Sequence, residues 1–206
     1  MTQVATALAC LSFMLYASAV HAGIVQIFKQ DGSSDRSGWE AAVGNNFSLE
    51  TFDDATLVPG LSLTGPNVNI TGGHFTDDVD GAMTTTIEFV PNVLAAGGFF
   101  DLDPATAGTG LDLHFEFAGG GSEIVEVRSV SDAQGFTGFI GIIADTPIAR
   151  IVISEGDQTS LGTHEIYYGD DLVFSNVPEP SSFTLFAVAI VLVGGKAFSS
   201  TRRRRS

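Results

Sequence analysis

Cysteine is almost absent: Cys10 is the only one in 206 residues. A disulfide scaffold and a thiolate zinc site are both excluded. Cations are scarce as well. Lys and Arg number 9 against 24 Asp and Glu, a formal net charge of −15. Five of the cations, Lys196 and Arg202 to Arg205, crowd the C-terminus. Between Gly23 and Asn176 only Lys29, Arg36, Arg128 and Arg150 face every acid of the chain except Glu179. Such a body repels phosphate backbones, so binding to nucleic acid is excluded. Also missing are a Gly-x-Ser-x-Gly elbow, a His-Glu-x-x-His pair, a phosphate loop and a repeat of fixed period. Disorder is excluded by a hydrophobic content of 44 %.

The body is rich in glycine (24) and phenylalanine (16). Residues 35–44 read as one short helix. Ser33, Ser34 or Asp35 caps it, Gly44 ends it in the αL conformation, and Trp39, Ala42 and Val43 share its apolar face. Strands follow. Residues 47–52, 111–117 and 124–130 alternate apolar with polar, and 87–90, 97–102, 136–143, 148–153 and 172–174 add further short runs. Gly72-Gly73, Asp103-Pro104, Gly119 to Gly121, Asp145-Thr146-Pro147 and Glu155-Gly156-Asp157 separate them. The pattern predicts an all-β fold, an antiparallel β-sandwich of jelly-roll type with one short N-terminal helix.

Both ends differ from this body. Leu8 to Val20 is an apolar run interrupted by Ser12 and Ser18. Val20-His21-Ala22 offers the compact residues that signal peptidase reads, which predicts a signal peptide over 1–22 cut between Ala22 and Gly23. The cationic start of such a signal is missing, and a short buried helix is the competing assignment. Residues 23–176 form the extracellular sandwich. Residues 177–206 form a tail: Val177-Pro178-Glu179-Pro180, a charge-free run from Phe183 to Val193, then Arg202, Arg203, Arg204 and Arg205. As a helix, 181–198 spans roughly 27 Å against a hydrocarbon core of roughly 30 Å. The arginines act as a stop signal and hold their side in the cytoplasm.

This order of motif, apolar helix and arginine cluster resembles the PEP-CTERM sorting tail of exopolysaccharide-associated bacterial proteins. The resemblance implies an inner-membrane-anchored precursor with its body outside, processed near Pro178 to Pro180 by an exosortase. It also implies a mature form at the cell surface or in the extracellular matrix. A weaker resemblance lies in Phe99 to Leu102, Gly135 to Gly141, Thr146 to Ile148 and Gly169 to Phe174. These segments resemble ones in the extracellular bodies of PEP-CTERM proteins, and such bodies look like the jelly rolls of carbohydrate-binding modules and lectin-like domains. They imply non-catalytic association with exopolysaccharide or biofilm matrix. An enzyme acting on polysaccharide and a protein-binding adhesin or structural subunit are the alternatives.

Calcium is the one cofactor the residues suggest, since it takes carboxylate and carbonyl oxygens. Glu50, Asp53, Asp170 and Asp171, with Asp54, form the first candidate site, because the first and last strands of a jelly roll are often neighbours. Asp77, Asp78 and Asp80 form a second, and Asp101 with Asp103 a third. Solvated loop acids are the bland alternative for all three. His74, His114 and His164 lie too far apart for a zinc signature, and His114 reads as a solvated imidazole. Glu116 and Glu126 are the only glycosidase-like carboxylate pair the strands suggest. No catalytic residue is assigned. For sugar stacking, Tyr167 and Tyr168 are candidates, one of which must face outward, as are Phe75, Phe100 and Phe136 beside turns.

Overall fold

The structure is a computed structural model that describes residues 23–44, 46–79, 82–102, 110–128, 136–156 and 165–176. The segments expected to be a signal peptide and a sorting tail, and Asp80, Asp103 and His164, lie outside the described residues.

The described residues form ten strands and one helix: β1 (Ile24–Asp31), α1 (Ser37–Val43), β2 (Ser48–Glu50), β3 (Leu61–Thr64), β4 (Asn69–Thr71), β5 (His74–Val79), β6 (Thr85–Asp101), β7 (Leu111–Phe117), β8 (Ser122–Val127), β9 (Thr137–Glu155) and β10 (Glu165–Ser175). Every pairing between them is antiparallel. The predicted all-β class and single short helix are therefore found.

Two long strands organise the sandwich. The first half of β6 pairs with the second half of β9, through Thr85↔Ile153 to Glu88↔Arg150. The second half of β6 pairs with the first half of β9, through Ala95↔Ile143 to Asp101↔Thr137. One layer holds β3, the start of β6, the end of β9, β7 and β8. The other holds β1, the start of β9, the end of β6, then β10 flanked by β5, β4 and β2. Ile87, Phe115 and Ile151 from the first layer meet Phe75, Phe100 and Ile140 from the second in one buried cluster. Shared burial of the two inner faces holds the layers together.

The expected break at Asp145-Thr146-Pro147 is not a break. Strand β9 runs through it, as β6 runs through Pro91. Both prolines sit where the β6–β9 register shifts, between Glu88 and Val93 and between Val93 and Ala95. A missing N–H does little harm where the ladder is already interrupted, so the chain turns a corner instead of ending a strand.

A second, smaller cluster lies on the outer face of the layer that contains β1. Trp39 and Val43 of α1 pack there on Ala95, Phe139, Ile143 and Val173. Trp39 Nε1 donates to the Ile142 carbonyl at 3.1 Å. The indole needs a floor without side chains: a Cβ on Gly141 would lie 2.6 Å from Trp39 Cδ1. The helix starts later than the sequence suggests, at Ser37, and Arg36 takes the N-cap position without a side-chain cap bond. Asp35 Oδ1 accepts from the Ser37 amide at 2.9 Å, a turn that leads into the helix. Gly44 has φ 71° but ψ −177°. It is extended rather than αL, in a region that only glycine enters readily.

Candidate functional site

The outer face that α1 leaves uncovered carries the site. Strand β5 reads His-Phe-Thr-Asp-Asp-Val and alternates strictly, with Phe75, Asp77 and Val79 inward and His74, Thr76 and Asp78 outward. Strand β10 does the same, with Tyr167 buried and Ile166, Tyr168 and Asp170 outward. Period-two geometry then fixes which residues share a face. Direct cross-strand partners give one row over five strands: Asn69 opposite Thr76, Thr76 opposite Tyr168, Tyr168 opposite Asp101 and Asp101 opposite Thr137. Asn69 is exposed and the other four are half-buried. The next row brings in Thr71 opposite His74, and Asp170 opposite Phe99. Phe99 lies in turn opposite Phe139, beneath Trp39.

Aromatic and acidic groups interleave in these rows. The His74 and Tyr168 rings lie 4.6 Å apart, tilted by 57°. Thr137 Oγ1 donates to Asp101 Oδ1 at 2.9 Å. Asp170 Oδ1 accepts from the Asp171 amide at 2.6 Å. Burial raises the Asp170 carboxyl above the usual carboxylate range; the Asp171 amide bond opposes this, the Asp171 charge adds to it, His74 opposes it, and Asp53 adds to it. Asp53 stands over the turn before β5, 3.8 Å from where a Cβ on Gly73 would lie. Arg36 stands beside the rows but is engaged, with Glu40 at 2.7 Å and Asp171 at 2.9 Å. A half-exposed aromatic pair among hydrogen-bonding groups suits the alternating apolar and hydroxyl faces of a sugar ring.

The first proposed calcium group is only partly assembled. Strand β2 does pair with β10, which puts Glu50 opposite Leu172, close in sequence to Asp170 and Asp171. But Glu50 is buried and turned inward. Its Oε1 accepts from the Phe52 amide and its Oε2 from the Val58 amide, both at 2.7 Å. Asp171 is paired with Arg36, and Asp53 Oδ2 accepts from Thr51. Of the second group, Asp77 is buried inside the sandwich, where it accepts from the Asn67 and Asp78 amides and from Thr85 Oγ1. Of the third, Asp101 belongs to the row with Tyr168. Among the described residues no three His, Cys, Asp or Glu side chains are grouped to hold a metal ion.

Other expectations sort as follows. Phe75, Phe100 and Phe136 are fully buried, so they are core and not stacking platforms. Of the tyrosine pair, Tyr168 faces outward and Tyr167 inward. His114 is half-buried and bonds Ser154 Oγ at 3.1 Å rather than standing in solvent. Glu116 lies opposite Ser122 and Glu126 opposite Asp112, so the two do not face each other. Glu116 is bound by Arg150 at 2.6 Å, and Glu126 has Arg128 at 3.9 Å. Sequence reasoning weighs His74 only as a zinc ligand, and it misses Thr76 and Thr137. The signal for the first two was present, in strict alternation directly after Gly72-Gly73, but the paired acids Asp77 and Asp78 made it look like a loop.

No protein-family model matches the chain, and no curated protein matches it. Solved structures with some likeness include a point mutant of the family 29 carbohydrate-binding module CBM29-2, at 14% identity over 66% of this chain and 99% of that one, with a TM-score of 0.44. A cleaved adhesin domain of Lys-gingipain is 10% identical over 64% of this chain and 99% of that one, with a TM-score of 0.39. The C-terminal family 22 carbohydrate-binding module of Clostridium thermocellum Xyn10B is 11% identical over 64% and 96%, with a TM-score of 0.37. These likenesses are too distant to carry an argument about the site.

Proposed function

We propose that this chain is an exported bacterial surface or matrix protein whose sandwich associates non-catalytically with exopolysaccharide. The observation that carries the binding reading is the outer-face row of Asn69, Thr76, Tyr168, Asp101 and Thr137, with the His74 ring tilted against Tyr168 beside it. Tyr168 offers a ring face to a pyranose, and Thr76, Asp101, Asp170 and Thr137 offer acceptors and donors to its hydroxyls. The carboxylates suggested as a hydrolytic pair do not face each other, and Glu116 is bound by Arg150, which favours binding over turnover. Export and sorting rest on the resemblance of residues 177–206 to the PEP-CTERM tail. In this reading signal peptidase removes 1–22, the apolar segment holds the precursor briefly in the inner membrane, and an exosortase acts near Pro178 to Pro180.

Co-sedimentation of the full chain, kept soluble in detergent, with the producing cell's own exopolysaccharide tests the binding reading. Wild-type protein is retained, and Tyr168→Ala lowers the affinity by roughly tenfold with the fold intact by circular dichroism. No retention, or retention indifferent to Tyr168, overturns it. Steady shortening of the polysaccharide would favour the enzyme instead. The sorting reading is tested separately by the mature C-terminus in an exosortase-positive host. A protein ending near Pro180 supports it, and one that keeps its arginines overturns it.

A further inference from the structure

We propose that the face around Tyr168 selects a polysaccharide bearing protonated amines, a partly de-N-acetylated hexosamine polymer, over neutral and uronate polymers. The inference rests on the polysaccharide reading above and names the ligand class. Its starting point is what surrounds the aromatic pair. Asp170 and Asp101 lie in the rows themselves, Asp78 lies one step along β5, and Asp53 stands over the neighbouring turn. All are acceptors when ionised, and none can donate to an acidic sugar.

The described cations cannot reverse this. Arg36 is held by Glu40 and Asp171. Lys29 lies over the Phe136 ring at 5.3 Å and donates to the Glu126 carbonyl. Arg128 binds Asp112 at 3.1 Å, and Arg150 binds Glu116. Among the described residues, then, no lysine or arginine is left open to a carboxylate or sulfate ester laid along the rows, and His74 is outnumbered there by Asp170, Asp101, Asp78 and Asp53. An ammonium group fits them. It donates three hydrogen bonds to acceptor-only partners, and charge-assisted bonds of this kind are about twice as strong as neutral ones. Asp170 gains most, because its half-buried carboxylate has lost hydration that a bound cation replaces. Stacking on Tyr168 and His74 supplies the sequence-tolerant part of the contact, and the carboxylates supply the discrimination.

The test compares three polymers against the full chain in detergent, in mildly acidic buffer of two ionic strengths. They are a partly de-N-acetylated poly-N-acetylglucosamine, the same polymer re-acetylated, and a polyuronate. The amine-bearing polymer binds tighter than its re-acetylated form by roughly tenfold or more at low salt, and the polyuronate does not bind. Asp170→Asn removes most of the preference, whereas Glu88→Gln, an exposed carboxylate of the opposite layer, leaves it. Equal binding of the acetylated and de-acetylated forms overturns the inference and leaves the polysaccharide reading standing. Equal losses in Asp170→Asn and Glu88→Gln also overturn it, because they mean attraction of a polycation to an acidic protein at large. Failure of all three polymers overturns it too, and retention of the native exopolysaccharide then decides whether the broader reading survives.

Discussion

The Tyr167 hydroxyl donates to Thr85 Oγ1 at 2.6 Å inside the sandwich. Tyr167 belongs to one layer and Thr85 to the other, and Thr85 passes its own hydrogen on to Asp77 Oδ2. All three side chains are buried. A chain of polar groups therefore runs through an apolar core, and its terminal carboxylate is satisfied by two backbone amides besides. Burial raises the Tyr167 phenol well above its usual range, so it stays a donor at any ordinary pH. Fully satisfied networks of this kind fix one packing of the layers.

Removing one link tests that network. Tyr167→Phe keeps the ring and deletes the donor, leaving Thr85 with one partner fewer; it destabilises the body by about 1 kcal/mol. Asp77→Ala leaves the buried Thr85 hydroxyl and two part-buried amides without their acceptor and is expected to lose about 3 kcal/mol or more. Urea unfolding measures both. Because Tyr167 points away from the outer face, Tyr167→Phe should leave polysaccharide retention unchanged. A loss of retention without loss of stability would contradict the assignment of faces.

Trp39 gives a second measurement. It is the chain's one tryptophan, it is fully buried under α1, and it lies against Gly141. Gly141→Ala places a methyl group against the indole and forces either the helix or β9 to move. Overpacking of this sort is expected to destabilise by roughly 1–3 kcal/mol. The fluorescence of Trp39 should shift to longer wavelength as the indole meets water. An unchanged spectrum and midpoint would mean that α1 does not rest on Gly141.

How much of this was legible beforehand depends on which groups had local signals. Strand β7 alternates without interruption, so its limits, Leu111 and Phe117, can be read from the sequence. The continuity of β6 and β9 could not be read, because Pro91 and Pro147 carry the usual signal for a break, and only the partner strand shows that the ladder is already shifted there. The side chains of the outer face were half legible. The Tyr167-Tyr168 pair demands one outward ring in any strand. Whether that ring meets His74 depends on the β5–β10 register, which is set by tertiary pairing. Glu50 was misread for a related reason. Its position near β10 followed from jelly-roll logic, but its inward turn follows from the amides of Phe52 and Val58. Phe52 itself has φ 52°, and a left-handed residue there curls the chain back toward the carboxylate.

Glu50 therefore acts as a bracket for the segment after β2 through these two amide bonds. Glu50→Ala leaves two amides without their acceptor and is expected to lower stability by about 2–4 kcal/mol. Glu50→Gln keeps one acceptor and should lie between. Chelator should leave the melting midpoint of the wild type where it is, and added calcium should not raise it. A calcium-dependent rise that vanishes in Glu50→Gln would restore the ion site.

Asp170 gives the pH dependence. Burial holds its folded-state pKa above that of the unfolded chain. The folded state therefore binds the proton more tightly, and Asp170 favours folding most below the unfolded pKa. That advantage is lost as pH rises from the ordinary aspartate value, about 4, through the higher folded value. At neutral pH the ionised side chain is a liability that the fold carries. Asp170→Asn removes the charge yet keeps an oxygen for the Asp171 amide, so it should raise the thermal midpoint at pH 7. Its advantage should shrink toward zero as the pH falls below about 4, where the wild-type carboxyl is protonated as well. Melting curves of both proteins across that range decide the matter. A gap independent of pH would remove the desolvation argument. A stabilised variant that no longer retains polysaccharide would mean that the half-buried charge is kept for binding, at the expense of stability.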